Sequence, residues 1–108
     1  MSKTDYFVIV YQLLHYYYSK MKKSEQIDQK DISADRLGIG NPYLLDVYYN
    51  LFDDGCLTYG EVIMDDENGA YIKNIRITTK GIEYLQDNTK MKQAYKFLKE
   101  VKSWIPGM

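Results

Sequence analysis

The chain has little of what most catalytic and metal sites are made from. Its 108 residues include one cysteine and one histidine, and Cys56 and His15 together cannot supply the ligands of a zinc site. No Gly-x-Ser-x-Gly or Walker-type motif occurs, and Gly38-x-Gly40 lacks the preceding strand and the third glycine of a dinucleotide site. We therefore predict a protein that is not an enzyme, with no catalytic or metal site, no cofactor and no small-molecule substrate.

The lone cysteine also excludes an internal disulfide, which favours a reducing compartment, so we expect a cytoplasmic protein. Charged residues interrupt every hydrophobic run, and the N-terminus lacks the basic-then-apolar order of a signal peptide, so we expect no membrane association. The two prolines and seven glycines form no linker. We predict a single domain over residues 1–108, with a core of about 2–88 and a C-terminal amphipathic helix of about 89–105.

Positive charge is missing from the middle of the chain. Residues 41–70 contain seven carboxylates and no Lys or Arg, although the net charge of the whole chain is only −1. The first 23 residues carry four Lys against one Asp, and the last 20 carry five Lys against one Glu. The chain is thus acidic in its middle and basic at both ends, which bears on its partners rather than on its fold.

The acidic sequence 65–69 does not fit a calcium loop. With Gly69 at the sixth position of such a loop, the twelfth position falls on Ile75, where a Glu is required. We interpret this segment as a solvated acidic turn.

Hydrophobic periodicity predicts three helices in the first half of the chain. A capping box at Ser2 and Asp5 starts a helix that runs to about residue 23 and is apolar around most of its girth, so we expect it to be buried centrally. Ser33 caps a short second helix, and Asn41 with Pro42 starts a third helix that ends at Gly55.

The second half reads as a hairpin followed by two helices. Strands at 57–64 and 71–78 flank Asn68-Gly69, a strong hairpin-turn signal, and Gly60 indicates a bulge in the first strand. Thr79 caps a fourth helix to residue 87, and Asn88 or Thr89 caps a fifth that runs to about Ile105. Its apolar stripe predicts packing against the first helix, either within one chain or across a homodimer.

This order of elements is that of a winged helix-turn-helix, and the motif Thr78-x-Lys80-Gly81-x-x-x-Leu85 opens the fourth helix of many such domains. The tail resembles the YjcQ family of small bacterial and prophage proteins, and the following segments carry that resemblance: Met91-Lys92, Ala94-Tyr95-Lys96, Leu98-Lys99-Glu100 and Trp104-Ile105. The resemblance implies an α+β winged-helix fold with additional C-terminal helices and a bacterial or phage source. It transfers no catalytic or binding residue.

In winged-helix domains the third helix and the wing usually touch DNA. Here Asn50 is able to read an adenine edge, but seven acids at roughly 1 kcal/mol each outweigh one good base contact. We therefore favour a regulatory protein-interaction domain, with a basic partner or a homodimer as candidates. The predicted contact residues are Tyr43, Asp46, Tyr49, Asn50 and Asp53. Coverage of either tyrosine by the second helix is the simpler alternative.

The alternative function is a DNA-binding regulator that uses basic surfaces away from the third helix. Those surfaces lie at the end of the first helix, on the last helix and at the base of the wing. The predicted contacts are Lys20, Lys22, Lys23, Lys73, Arg76, Lys80, Lys92, Lys96 and Lys99. For any one of these groups, an ordinary solvated surface is the simpler interpretation.

Overall fold

The computed structural model describes residues 1–66 and 69–102. Within these residues, five α-helices, one 3₁₀ turn (Gln29–Ile32) and two small antiparallel sheets make up the fold. This confirms the predicted α+β class and is compatible with a winged-helix-like arrangement. The elements are α1 (Tyr6–Lys23), α2 (Ala34–Leu37), α3 (Asn41–Asp53), β1 (Leu57–Thr58), β2 (Glu61–Asp65), β3 (Gly69–Lys73), β4 (Arg76–Ile77), α4 (Thr79–Asp87) and α5 (Thr89–Val101).

Helix α1 is the central element, as its apolar girth predicted. It contacts α3, α4, α5 and β4, and even two of its polar side chains, Gln12 and Ser19, are buried. The prediction of a capping box at Ser2 and Asp5 is wrong in detail. Asp5 is the N-cap, and its carboxylate accepts a hydrogen bond from the Phe7 N–H at 2.9 Å, while Ser2 precedes the helix by one turn.

The caps of α2 and α3 show how closely the sequence locates a helix end. Ser33 accepts a hydrogen bond from the Arg36 N–H at 3.2 Å, and Gly38 ends α2 with a φ of 75°, both as predicted. The N-cap of α3 is Gly40 rather than Asn41, with Pro42 in the first turn and no side-chain cap.

Each of the two predicted strands is broken into two. β1 pairs with β4 and β2 pairs with β3, so the hairpin β2–β3 is a separate two-stranded sheet. The break falls where Gly60 meets Asn74: the Gly60 N–H donates to the Lys73 carbonyl at 3.0 Å, and Asn74 has a φ of 60°. A Cβ at Gly60 would lie 2.9 Å from that of Asn74. Asn68, from the predicted turn, lies outside the described residues, as does Glu67.

The last two helices are capped by single side chains. Thr78, not Thr79, caps α4 and accepts a hydrogen bond from the Gly81 N–H at 3.0 Å. Asn88 caps α5 through the Lys90 N–H at 2.8 Å. Helix α5 ends at Val101, four residues earlier than predicted, because Lys102 adopts a left-handed conformation with a φ of 52°. Trp104 and Ile105 lie outside the described residues.

Helix α5 belongs to the same hydrophobic core as α1. Met91, Ala94 and Leu98 are buried in it, and α1 contacts α5 more extensively than any other helix. This confirms that the first and last helices pack together within one chain. In the described ranges, no helix combines the length and apolarity needed to cross a membrane.

Candidate functional site

Two of the five predicted contact residues on α3 are tied to the N-terminal segment. The Tyr43 hydroxyl donates to the Thr4 carbonyl at 3.0 Å, and the Asn50 amide donates to the Tyr6 hydroxyl at 3.1 Å. Tyr43 is half-buried, and burial raises its pKa. The segment before α1 and the first residue of α1, rather than α2, therefore supply these contacts.

The other three predicted residues form an exposed strip. Tyr49 is 60% exposed, and Asp46 and Asp53 are exposed on the same side of α3. An exposed aromatic ring flanked by two carboxylates matches the arrangement expected for a protein contact.

The side of α3 toward the hairpin presents apolar side chains that are not among the predicted contact residues. Leu45 is 50% exposed, and it shares a groove of about 670 Å³ with Tyr71 and Ile72 of β3. The Phe52 ring contacts the Tyr59 ring edge-on, with centroids 4.8 Å apart. The sequence does contain a pattern that predicts this apolar side of α3, because Leu45, Tyr49 and Phe52 recur at the i, i+4, i+7 spacing of one helix side.

These side chains belong to a concentration of exposed apolar surface. In the described part of the chain, ten large hydrophobic residues are exposed, and six of them lie on α3, on the hairpin or just before it. Scattered exposed hydrophobic residues need no explanation, but a concentration of them marks an interaction site. The six are Leu45, Tyr49, Tyr59, Val62, Met64 and Tyr71.

We call this surface the α3–hairpin face and define it by those six residues together with Asp46 and Asp53. In the β2–β3 register Val62 and Met64 lie on one side of the hairpin and Tyr71 on the other, so the face includes both sides of the hairpin. The sequence between Arg36 and Lys73 contains no cation, and on α3 the apolar side chains are flanked by carboxylates. Lys73, opposite Glu61 at the base of the hairpin, borders the face with its ammonium 6.0 Å from the centre of the Tyr71 ring.

The nine cations of the alternative function are not gathered into one patch. Lys80 lines a cavity of about 580 Å³ with three carboxylates, those of Asp54, Glu83 and Asp87. The cations Lys20, Lys73 and Arg76 border two grooves that share Arg76 and Glu25.

The remaining five cations lie at the end of α1 and on α5. Lys22, Lys23, Lys92, Lys96 and Lys99 are all exposed. The Lys22 ammonium sits 4.5 Å from the centre of the Tyr18 ring.

His15 and Cys56 both lie at least half-buried in the fold. Cys56 is only 4% exposed, and burial, helped by Asp54, raises its pKa. His15 is half-buried and stacks on Tyr11 at 5.5 Å. Burial, and then the charges of Lys22 and Lys23, lower the pKa of His15.

We expect the Cys56 thiol of the native protein to react with Ellman's reagent at pH 8 about 100-fold more slowly than in the urea-unfolded chain. The reactive thiolate is depleted by the raised pKa, and the buried sulfur is reached only through local opening. Stopped-flow absorbance measures both rates. A Cys56→Ser variant that carries Tyr49→Cys provides the exposed reference. Equal rates for the native protein and for the folded Tyr49→Cys reference would contradict the conclusion that the Cys56 thiol is protected by burial.

Comparison with known protein families finds a match over most of the chain. The family described as YjcQ protein matches residues 11–104, which is nearly the whole chain. No curated protein and no solved structure matches the chain significantly.

Proposed function

The chain belongs to the YjcQ family, and from that premise we propose that it is a non-enzymatic winged-helix module of bacterial or phage type that binds a partner protein. The binding surface in this proposal is the α3–hairpin face. The observation that carries it is that six of the ten large hydrophobic residues exposed in the described part of the chain come from the segment between Arg36 and Lys73, which contains no Lys or Arg.

The chemistry of this face suits a protein partner. Protein interfaces have an apolar centre with aromatic anchors and a polar rim, and a few central side chains provide most of the binding energy. Tyr49 is the central aromatic candidate, and the groove beside Leu45 offers a recess for an apolar side chain. The carboxylates of Asp46 and Asp53 favour a partner segment that carries Lys or Arg next to its apolar residues.

The same face is a poor surface for DNA. Affinity for duplex DNA comes largely from Lys and Arg that neutralise phosphates, and the sequence between Arg36 and Lys73, which supplies the residues of this face, contains neither. The Asn50 amide, predicted to suit an adenine edge, is hydrogen-bonded to Tyr6. Reading a base would require breaking that bond.

A photo-crosslinking experiment tests the proposal. p-Benzoylphenylalanine replaces Tyr49 in one protein and the exposed Gln86 of α4 in a second, and both are irradiated in a bacterial lysate. We expect an adduct with a partner protein from position 49 only. The captured protein is then purified, and its affinity is measured by calorimetry. We expect Tyr49→Ala to weaken that affinity by about 30-fold, the effect of losing a central aromatic anchor.

The charge of the face is tested in the same assay. Asp46→Lys with Asp53→Lys is expected to weaken binding by about 10-fold at low salt, whereas Lys96→Gln on α5 leaves it unchanged. Equal crosslinking from positions 49 and 86 would rule the face out as the interaction site. So would an affinity that is insensitive to Tyr49→Ala.

A further inference from the structure

We infer that the end of α1 and one side of α5 form a second binding site, which takes the phosphate backbone of double-stranded DNA. We call it the α1–α5 basic face. It shares no residue with the α3–hairpin face, so either proposal can fail alone. Its lysines are Lys22, Lys23, Lys92, Lys96, Lys99 and Lys102, all exposed.

Contacts between α1 and α5 show how the two helices that carry these lysines are arranged. The Lys90 ammonium lies 5.7 Å from the centre of the Phe7 ring, and the rings of Tyr11 and Tyr95 are 6.1 Å apart. From the first pair to the second, the residue number rises along both helices. Helices α1 and α5 therefore run side by side and parallel. At about 1.5 Å per residue, Lys99 lies level with His15, and the lysine-rich ends of both helices point to the same end of the molecule.

The lysines of α5 form a row on the side that adjoins Tyr11. Lys92, Lys96 and Lys99 recur at the i, i+4, i+7 spacing and span about 10 Å along the helix. Glu100, the only acid of α5, follows Lys96 by one turn and so offsets that lysine more than the other two. Lys92 and Lys99 are therefore the strongest contributors from this helix.

Helix dipoles account for only part of this arrangement. Lysines near a helix C-terminus are favourable, and Lys22, Lys23 and Lys99 lie in the last turns of their helices. Lys92 and Lys96 lie in the interior of α5, where the dipole gives no such advantage. A row that continues into the helix interior indicates a ligand-facing surface.

The composition of this face favours DNA over a protein. Of the large exposed hydrophobic residues, this side of α5 presents Tyr95, compared with the six of the α3–hairpin face. A surface with dense positive charge and little apolar area suits a uniform polyanion. Duplex DNA carries one charge per about 1.7 Å of helix axis, so a row of this length meets several phosphates regardless of sequence.

Fluorescence anisotropy with a labelled 20-base-pair duplex tests the inference. We expect binding at 50 mM NaCl that weakens steeply with salt, with log K falling against log[NaCl] at a slope of about −4 to −5 for about five neutralised phosphates. The triple variant Lys22→Gln, Lys92→Gln and Lys99→Gln is expected to bind more than 10-fold more weakly. Its slope is expected to be shallower by about 2.7, since each lost contact accounts for about 0.9.

A second triple variant removes the same net charge elsewhere. Lys30→Gln, Lys73→Gln and Lys80→Gln lie outside the α1–α5 basic face, and this variant is expected to keep its affinity within twofold of the unsubstituted protein. Tyr49→Ala, which tests the α3–hairpin face, is also expected to leave DNA binding unchanged. Far-UV circular dichroism confirms that each variant is folded.

Several results would overturn the inference. One is no change in anisotropy at 50 mM NaCl, and another is an equal loss of affinity in both triple variants. Binding at least 10-fold tighter to a single strand of the same length would refute the assignment to duplex DNA. Self-association that disappears in the first triple variant, measured by sedimentation, would assign the basic face to a second copy of the chain.

Discussion

Between pH 10 and 12 this protein is expected to unfold cooperatively as its buried tyrosines ionise. The chain has twelve tyrosines, and the fold raises the pKa of six. Burial is the first cause for each of them. The pKa of Tyr11 and of Tyr16 rises to about 12, and the pKa values of Tyr17, Tyr43, Tyr48 and Tyr84 also rise.

The sign follows from which state keeps the proton. In the unfolded chain a phenol ionises near pH 10, whereas the folded chain holds its protons to higher pH. The associated stability is therefore complete below about pH 10 and is lost as the pH rises toward the folded pKa values, at about 1.4 kcal/mol per pH unit for each fully retained proton. Half-exposed groups such as Tyr43 and Tyr84 contribute less.

The buried pair of Tyr17 and Tyr48 adds to this loss, and burial raises the pKa of Tyr48 well above its usual value. The hydroxyls of Tyr17 and Tyr48 are hydrogen-bonded to each other at 2.9 Å inside the core, where a phenolate would be poorly solvated. A domain of this size is stable by about 5–15 kcal/mol. With Tyr11 and Tyr16 added to the pair, the loss reaches that range within about two pH units.

Absorbance at 295 nm and far-UV ellipticity, followed together, measure the effect. We expect ionisation of the buried tyrosines to coincide with loss of ellipticity. The double variant Tyr17→Phe and Tyr48→Phe preserves the ring packing and removes two of the titrating groups, so its transition should move to higher pH. Ionisation of all twelve tyrosines with native ellipticity retained would show that burial does not hold these protons.

Periodicity in the sequence located the five helices because each has a buried side that repeats every three or four residues. What it could not decide was the choice between neighbouring caps. Thr78 and Thr79 are chemically equal candidates for α4. The structure selects Thr78, whose hydroxyl also lies 2.5 Å from the Gly55 carbonyl and 3.1 Å from the Cys56 carbonyl. These contacts reach 22 and more residues back along the chain, so no local pattern contains them.

The same limit explains the broken strands. Gly60 indicated an irregularity, but its partner Asn74 is known only once the two strands approach each other. Because the backbones come so close at that point, the pairing shifts from one two-stranded sheet to the other, and the hairpin is left as a separate projection with both β2 and β3 exposing apolar side chains.

For the candidate sites, position on the helix predicted which side of α3 faces the core. It could not predict which outward side chains are hydrogen-bonded to another part of the chain. A helical wheel of α3 places Tyr43 and Asn50 on the outward side, yet they bind Thr4, before α1, and Tyr6, at the start of α1, and the wheel includes neither partner. The cations show the same limit, since only the packing of α5 beside α1 sets Lys92 and Lys99 apart from Lys80, which lies among acids.

Gly81→Ala is expected to lower the free energy of unfolding by about 3 kcal/mol or more, as overpacking against a fixed backbone does. A Cβ at this position would lie 2.2 Å from the Cys56 carbonyl oxygen and 2.8 Å from Ile77 Cγ1. Alanine is the better helix former by about 1 kcal/mol, so the loss would arise from the contact and not from helix propensity.

The Cys56 carbonyl cannot easily move away, because it accepts a hydrogen bond from the Thr78 N–H at 3.0 Å, and the Thr78 hydroxyl, which it shares with the Gly55 carbonyl, lies 3.1 Å from it. Moving it would disturb the β1–β4 pairing and the cap of α4 together. Urea denaturation followed by circular dichroism gives the free energy of unfolding. Gly40→Ala is the matched control, since its Cβ would meet Pro42 Cδ at an ordinary 3.8 Å, and we expect a change within about 1 kcal/mol.

A Gly81→Ala protein as stable as the control would mean that α4 can shift away from β1 at little cost. The glycine of the Thr-x-Lys-Gly motif would then not be required for close packing. A large loss would give that motif a physical meaning in this chain. Thr78 caps the helix and contacts the Cys56 carbonyl, and Gly81 leaves room for that carbonyl against the first turn of α4. The motif would thus specify how α4 docks on the sheet, and its recurrence would reflect a packing requirement rather than a binding site.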